Sequence, residues 1–295
     1  MPTVASRLTS TGTLFISGEF NEVTTSSIKL TAETYYAARF DEVSMNNSVV
    51  VSSNSISFNG STDYLTIADN AALQLGTSVF TIETWFYKTY STTNSQLAGK
   101  GSGGAGWRLF LLNNGSGNIY NITFTNVFNT LEATGLTILP NTWNHVAVVR
   151  EGIAAFQSKL YLNGVLSGTG TCGSNLNQTA DLRIGSGFTD VAPYTNHPGR
   201  ISNFRIVKGT AVYTANFTPT LPLTAISGTA LLLNVSSSLT YLNDSSGNNF
   251  TATPTGSPAF VASGPTVVSN LVAKRETNTG TIRVANGFNE VNKPI

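Results

Sequence analysis

The sequence predicts an all-β protein, a sandwich of antiparallel strands, and three observations support this prediction. Short stretches in which apolar and polar residues alternate recur along the chain, as in strands with one buried face. Turns such as Asn59-Gly60 and Asn163-Gly164 separate these stretches. Charged residues make up only 11% of the 295 residues, which is less than long surface helices usually carry.

Charge and cysteine content exclude several classes of protein. Sixteen basic and fifteen acidic residues give a formal net charge of +1, without the clustered positive charge that nucleic-acid binding requires. One cysteine and two histidines exclude an intramolecular disulfide and a Cys/His zinc cluster. No apolar run approaches the roughly 18 residues of a membrane span, and no secretory signal is readable. We therefore expect neither a nucleic-acid partner nor a membrane span.

Alternation and turns assign nine strands. In the stretch that begins at Phe80, the residues Glu83, Trp85 and Tyr87 lie on the face opposite the apolar one, and His145 shares a face with Trp143. The predicted strands are 55–60, 64–67, 80–87, 107–112, 119–124, 143–150, 159–162, 181–184 and 199–207. Only residues 69–75 allow a helical turn, and the glycine-rich stretch 99–106 is predicted to be a flexible connection between strands.

The two ends of the chain carry related sequences. Residues 5–23 and 273–291 share Thr-Gly-Thr and Phe-Asn-Glu-Val at a constant offset, so each copy is predicted to form a strand, a turn and a second strand. A copy of about 20 residues cannot bury its own core, and we expect the copies to pack together or on a neighbour. The predicted organisation is an N-terminal β attachment segment, a sandwich and a C-terminal β attachment segment that repeats the first, with limits 1–47, 48–265 and 266–295.

Six ordered blocks resemble a known family. They are Ser57–Leu65, Phe80–Trp85, Asn141–Arg150, Leu160–Val165, Leu182–Gly185 and Gly199–Ile206. In this order they resemble the laminin G-like branch of the concanavalin A-like lectin/glucanase superfamily, whose fold is a jelly-roll sandwich. A block at 231–249 follows these strands instead of preceding them, which predicts a permuted sandwich or closing strands from the C-terminal side. With the repeated ends, this layout also resembles structural proteins of marine tailed phages, of tail-fibre or capsid-surface type.

Catalysis is not expected. Glucanases of the superfamily use two carboxylates close together on one strand, whereas Glu83 is alone in its strand and Glu132 and Glu151 stand next to turns. We interpret Glu83 as a solvated residue of the outer face and His145 as a packed or hydrogen-bonded residue. Cys172 is interpreted as an incidental thiol in a turn. No catalytic residue is assigned, and a non-enzymatic protein is expected.

The loop 186–198 is the predicted ligand or partner contact. Its Phe188 and Tyr194 could stack on sugar rings, and its Asn196 and His197 could form hydrogen bonds to hydroxyl groups. The same residues suit internal packing or a protein contact equally well.

Calcium binding is also considered, because many laminin G-like domains bind this ion. Asp63, Asp181, Asp190 and Asp244 are candidate ligands, but the acidic residues are sparse and unclustered. Asp244 is interpreted as the cap of its own backbone amides. No cofactor is assigned.

The leading functional hypothesis is a non-enzymatic virion structural protein, assembled in the host cytoplasm, that displays the sandwich to host-surface glycans or to other virion proteins. Its ends would attach by strand pairing, and a homo-oligomer is expected. The alternatives are a free bacterial carbohydrate-binding lectin and an inactive or divergent glycan hydrolase. No secretion signal is readable in the sequence, and this favours the virion hypothesis over the free lectin, because phage proteins reach the outside by lysis.

Overall fold

A computed structural model of the chain describes residues 48–89, 93–102, 105–125, 130–187, 196–270, 272–275 and 282–285. The larger of two units spans residues 51–267 and is a two-layer antiparallel β-sandwich, so the predicted fold class is confirmed. Within the described residues the only helical turn is Ala71–Leu73, inside the predicted stretch. No helix in that part of the chain has the length and apolarity needed to cross a membrane.

The strands are numbered along the chain. They are β1 (Ser48–Ser52), β2 (Ser55–Asn59), β3 (Tyr64–Ile67), β4 (Phe80–Lys88), β5 (Ser95–Ser102), β6 (Ala105–Asn113), β7 (Ile119–Thr125), β8 (Thr130–Thr137), β9 (Trp143–Arg150), β10 (Ser158–Leu162), β11 (Val165–Gly170), β12 (Leu182–Ile184), β13 (Pro198–Lys208), β14 (Thr229–Leu233), β15 (Thr253–Thr255), β16 (Ala259–Val261), β17 (Thr266–Asn270), β18 (Val272–Arg275) and β19 (Ile282–Ala285). All nine predicted strands are present within these limits or close to them.

Two sheets form the sandwich. One has eight strands in the order β11-β10-β9-β4-β13-β2-β16, with β14 paired to β13 as well, and the other has seven in the order β15-β3-β12-β5-β6-β7-β8. Strands β14, β15 and β16 pair with β13, β3 and β2, which confirms that the C-terminal side closes the sandwich. Two further pairs are β1–β17 and β18–β19.

The core lies between the two sheets and follows the alternation of the strands. In β4 the side chains of Phe80, Ile82 and Phe86 are buried in this core, whereas Glu83 and the residues two positions away face outward. Outward-facing Glu83 meets His145 of β9, so the predicted face assignment of both strands is confirmed.

The expectation that the glycine-rich stretch is a flexible connection was wrong. The glycine-rich stretch is mostly paired strand, because β5 and β6 extend into it from both sides. A Cβ at Gly99 would lie 3.1 Å from the Gly187 Cα, and one at Gly106 would lie 2.0 Å from the Lys100 carbonyl oxygen. Close backbone approach, rather than flexibility, therefore explains these glycines. Cys172, interpreted as an incidental thiol, is 2% exposed and belongs to the hydrophobic core, where a thiol is inert.

Residues 209–226, here called the crossing segment, run over the outer face of the eight-stranded sheet. The backbone amide of Val212 donates to the Thr81 hydroxyl at 2.9 Å, and that of Phe217 donates to the Gly164 carbonyl at 2.9 Å. Gly164 has φ of +79°, and a Cβ there would lie 1.8 Å from the Phe217 carbonyl oxygen. The β10–β11 turn thus needs glycine both for its conformation and for the passage of the segment.

The C-terminal repeat contains the two predicted strands, while residues 276–281 between them lie outside the described residues. Strands β18 and β19 pair antiparallel, with Val272 opposite Ala285 and Arg275 opposite Ile282. The N-terminal copy, residues 5–23, lies outside the described residues. The packing of the two copies and the three-part division of the chain stay predictions.

Candidate functional site

The outer face of the eight-stranded sheet carries an open row of side chains, here called the aromatic row. Trp143 of β9 stands opposite Tyr87 of β4, and Tyr87 stands opposite Arg200 of β13. Ser57 of β2 continues the row on the other side of Arg200. All four residues are partly exposed, so the row forms a surface across four adjacent strands.

Two aromatic rings form one end of the row. The ring centroids of Tyr87 and Trp143 are 5.4 Å apart and their planes are tilted by 51°. Tilted pairs at this separation are favourable, because the edge of one ring approaches the electron-rich face of the other. Since both rings remain partly exposed, they offer apolar area to a ligand that has an apolar side.

Arg200 adds a positive charge beside the rings. Its guanidinium carbon lies 5.2 Å from the centroid of the Tyr87 ring, within the range of a cation–π contact. One guanidinium nitrogen, Nη1, donates to the Ser263 hydroxyl at 3.1 Å. The row therefore combines aromatic surface with a cation that the Tyr87 ring and the Ser263 hydroxyl hold in place.

The ring of His197 holds the backbone of the row. Nε2 lies 3.1 Å from the Tyr87 carbonyl oxygen and 3.2 Å from that of Arg200, and Nδ1 lies 2.6 Å from the Ser95 hydroxyl. Carbonyl oxygens only accept, so the neutral ring carries its proton on Nε2 and accepts from Ser95 at Nδ1. Burial lowers the pKa of His197 to about 4, which keeps the ring neutral and these bonds intact at neutral pH.

Gly199 allows this close approach. A Cβ at this position would lie 1.9 Å from the Tyr87 carbonyl oxygen and 3.0 Å from Nε2 of His197. Any side chain would therefore push Tyr87 and Arg200 apart. The backbone of the row depends on a glycine between His197 and Arg200.

A buried charge cluster occupies the covered half of the same face. Trp85, 7% exposed, separates it from the row. The cluster consists of Glu83, His145, Arg205 and Tyr213. Arg205 donates Nε and Nη2 to Glu83 Oε1 at 2.9 and 2.5 Å, while Oε2 accepts from the Tyr213 hydroxyl at 2.8 Å and lies 3.1 Å from His145 Nε2. Because Tyr213 belongs to the crossing segment, the cluster ties that segment to the sheet.

The expectation that Glu83 is solvated was wrong, because the crossing segment covers it and its side chain is 0% exposed. Burial by itself raises the pKa of Glu83. The hydrogen bond and charge of His145, the charge of Arg205 and the hydrogen bond from Tyr213 outweigh burial and hold this pKa below its ordinary value. Burial, and then the charge of Glu83, raise the pKa of Tyr213. Glu83 is thus ionised, and the interpretation of His145 as a hydrogen-bonded residue is confirmed.

Of the four residues named in the predicted ligand loop, the structure describes Asn196 and His197. Phe188 and Tyr194 lie outside the described residues. Asn196 is partly exposed and donates Nδ2 to the Ser61 carbonyl at 2.8 Å. His197 is fully buried and acts on the aromatic row through backbone carbonyls. The loop as a ligand contact stays a prediction.

The described acidic candidates for calcium accept hydrogen bonds from backbone amides. Asp63 accepts from two amides, and Asp181 accepts from that of Asp69. Asp244 accepts from the amides of Leu232 and Ser246, which confirms its interpretation as a cap. Asp190 lies outside the described residues. Within the described part of the chain, no three His, Cys, Asp or Glu residues are grouped to hold a metal.

The sequence placed Tyr87 on the outer face of its strand and Trp143 on the same face as His145, but did not join Tyr87 and Trp143 into a site. The signal was present in each strand, since both residues stand at outward positions of an alternating pattern. Their meeting depends on the pairing of β4 with β9, and Arg200 joins only through the pairing of β13 with β4. A single-strand pattern carries no information on these partners.

Comparison with known protein families gives a match. The family profile described as the concanavalin A-like lectin/glucanases superfamily matches residues 59–212, which is more than half of the chain and includes strands β3–β13. A search of the curated proteins found no match.

Several solved structures are similar to this chain. A candidate carbohydrate binding protein from Bacteroides ovatus has a TM-score of 0.53 at 16% identity, and the match covers 73% of this chain and 61% of that protein. This chain therefore spans less than two thirds of that relative. A heptameric pentraxin from Limulus polyphemus has a TM-score of 0.42 at 15% identity, with 52% and 75% covered. Domain 4 of an extracellular arabinanase from Geobacillus stearothermophilus, in complex with arabinotriose, has a TM-score of 0.40 at 16% identity, with 57% and 78% covered.

Proposed function

We propose that this chain, which belongs to the concanavalin A-like lectin/glucanases superfamily, binds carbohydrate without hydrolysing it. The observation that carries the proposal is the aromatic row, where the partly exposed rings of Trp143 and Tyr87 lie beside Arg200 on an open sheet face. The candidate carbohydrate binding protein from Bacteroides ovatus has the same fold, and it supports the proposal.

The chemistry of the row suits a sugar. One side of a pyranose ring presents C–H groups and packs on an aromatic ring, while its hydroxyls project outward and need hydrogen-bond partners. Trp143 and Tyr87 supply the aromatic area. The guanidinium of Arg200 supplies donors, and the hydroxyls of Ser57 and Ser263 next to it supply both donors and acceptors.

The arrangement of the buried cluster favours binding over hydrolysis. A glycoside hydrolase needs one carboxylic acid to protonate the leaving group and a second carboxylate to attack or to activate water. Glu83, the carboxylate of the cluster, takes part in four hydrogen bonds, which occupy the acceptor positions of both oxygens. Its low pKa also leaves it without a proton to donate.

Trp143→Ala is expected to weaken the binding of the best ligand in an oligosaccharide panel by about 30-fold or more, the effect of a central aromatic contact. Isothermal titration calorimetry measures the affinity, and chromatography of the incubated oligosaccharide should recover it intact. The matched control is Phe156→Ala, which removes a ring that is 72% exposed on the loop at the opposite end of β9. Equal affinities of the Trp143 and Phe156 variants would contradict the proposal.

The second part of the proposal is a location on the surface of a virion, with other virion proteins as partners and a homo-oligomer as the assembled form. The repeat of residues 5–23 at 273–291 supports this part, because paired attachment segments suit a chain held at both ends. The paired strands β18 and β19 offer strand edges for pairing with a neighbour. A free lectin would need no such segments.

Deletion of residues 273–295 is expected to abolish association with the particle while the sandwich stays folded, because β1–β17 pairing and the sandwich strands lie outside the deleted stretch. Density-gradient sedimentation with purified particles measures the association, and circular dichroism measures the fold. Deletion of residues 5–23 should have the same effect. A truncated chain that still sediments with the particle would show that the segments are not attachment elements.

A further inference from the structure

We propose that the aromatic row selects glycans that carry a carboxylate, and that Arg200 binds this group. The inference rests on the proposed function and extends it from carbohydrate in general to acidic sugars. It depends on the charge state of Arg200, on its position relative to the rings, and on the surroundings that leave its charge available.

Arg200 is a cation without an acidic partner in the described part of the chain. Ion pairs in that part of the chain include Lys100–Asp69, Lys159–Glu151 and Arg205–Glu83. Arg205, on the same strand, is neutralised by Glu83 beneath the crossing segment. Arg200 instead stands on the open row, where its side chain contacts a ring and one hydroxyl. The row therefore carries positive charge that a ligand can neutralise.

The geometry places this charge where a stacked sugar would present a substituent. Trp143 and Arg200 are separated by one strand, which puts their Cα atoms roughly 10 Å apart at the usual strand spacing. A sugar packed on Trp143 would lie within reach of the guanidinium. Arginine binds carboxylates in a planar, two-point geometry, and this selects for a carboxylate over a hydroxyl.

Nearby groups hold Arg200 in this position instead of competing for its charge. The Tyr87 ring lies under the guanidinium and restricts it, and the Ser263 hydroxyl orients Nη1. The ring of His197 donates a hydrogen bond from Nε2 to the Arg200 carbonyl and so fixes the backbone of Arg200. A restrained cation loses less conformational freedom on binding than a free one, so the row is organised for an anion before the ligand arrives.

The test compares acidic sugars with neutral sugars of the same backbone. The probes are oligogalacturonides and their methyl esters, sialyllactose and lactose, and glucuronoxylo-oligosaccharides and xylo-oligosaccharides, each titrated into the full chain at low and high salt. The native protein should bind the acidic member of at least one pair about tenfold to hundredfold more tightly, with a preference that weakens as salt rises.

Arg200→Gln should remove this preference, and Arg200→Lys should keep part of it. The matched control is Arg183→Gln, because Arg183 also lies over a tyrosine ring, that of Tyr64 at 5.0 Å, but on the seven-stranded sheet. The control should keep the full preference. Equal binding of both members of every bound pair would overturn the inference and leave the proposed function standing. Failure to bind any probe would overturn the proposed function and the inference together.

Discussion

Arg205→Met is expected to lower the free energy of unfolding by about 3–5 kcal/mol at pH 7, because it leaves the carboxylate of Glu83 buried without its cation. The side chains of Glu83 and Arg205 are 0% and 6% exposed, so solvent does little to screen the loss. Urea denaturation measures the effect as a shift of the midpoint. The crossing segment should also become more sensitive to proteolysis, since Arg205 donates Nη1 to the Thr224 carbonyl within it.

Lys159→Met is the matched control, because Lys159 and Glu151 form an ion pair on the same sheet, and Lys159 also donates to the crossing segment at Thr214. Their side chains are 19% and 25% exposed, so this variant should lose at most about 1 kcal/mol. Equal losses in the two variants would show that the buried cluster contributes no more than an exposed pair.

The double variant Glu83→Gln with Arg205→Met should be more stable than the sum of the single losses predicts, because it removes the buried charge together with its partner. The pH dependence gives a second readout. The pKa of Glu83 is held below its ordinary value of 4.5, so its contribution is complete above pH 4.5 and is lost as pH falls through the folded-state pKa. This acid-side loss should shrink in Arg205→Met, since a charge that lowers the pKa is gone.

The sheet faces could be predicted because alternation is a local property of a strand. Trp85 and Tyr87 were placed correctly on the outer face of β4, and His145 on the same face as Trp143 in β9, from neighbouring residues alone. The burial of Glu83 could not be predicted in this way. Its partners Arg205 and Tyr213 lie 122 and 130 residues further along the chain, and no local pattern indicates that the crossing segment returns over this face.

Two of the strands that were missed, β8 and β11, were missed for a different physical reason. β8 and β11 lie at sheet edges and expose many of their residues, so their sequences lack the apolar alternation of central strands. Glycines in β5 and β6 were interpreted as signs of a flexible connection. Their function is to allow other backbone segments to approach, and only the three-dimensional structure shows those segments.

The ligand-loop prediction assigned His197 a direct contact with a ligand or partner, whereas the structure buries its ring. An exposed imidazole and a buried one cannot be distinguished by residue type. In the structure, the ring supports the Tyr87 and Arg200 carbonyls from inside the sandwich. His197 is therefore a positioning residue for the row, and its ionisation should affect both the stability of the fold and the geometry of the site.

The native protein is expected to lose about 3 kcal/mol of stability through His197 as pH falls from 6.5 to 4. The folded-state pKa of about 4 lies below the ordinary value of 6.5, so the unfolded chain takes up the proton first. The contribution is complete above pH 6.5 and declines through this window. Burial is the main cause, and the positive charge of Lys88 adds to it. Urea denaturation at a series of pH values measures the slope.

Two variants separate this titration from ordinary structural loss. His197→Gln removes the titrating group, so its unfolding free energy should change less with pH between 6.5 and 4 than that of the native protein, whatever its absolute stability. Ser95→Ala removes the hydroxyl that donates to Nδ1 but keeps the ring, so it should lose about 1 kcal/mol and retain the native slope. If the native protein and His197→Gln showed the same slope, the ring would not be held neutral by burial, and its support of the Tyr87 and Arg200 carbonyls would need another explanation.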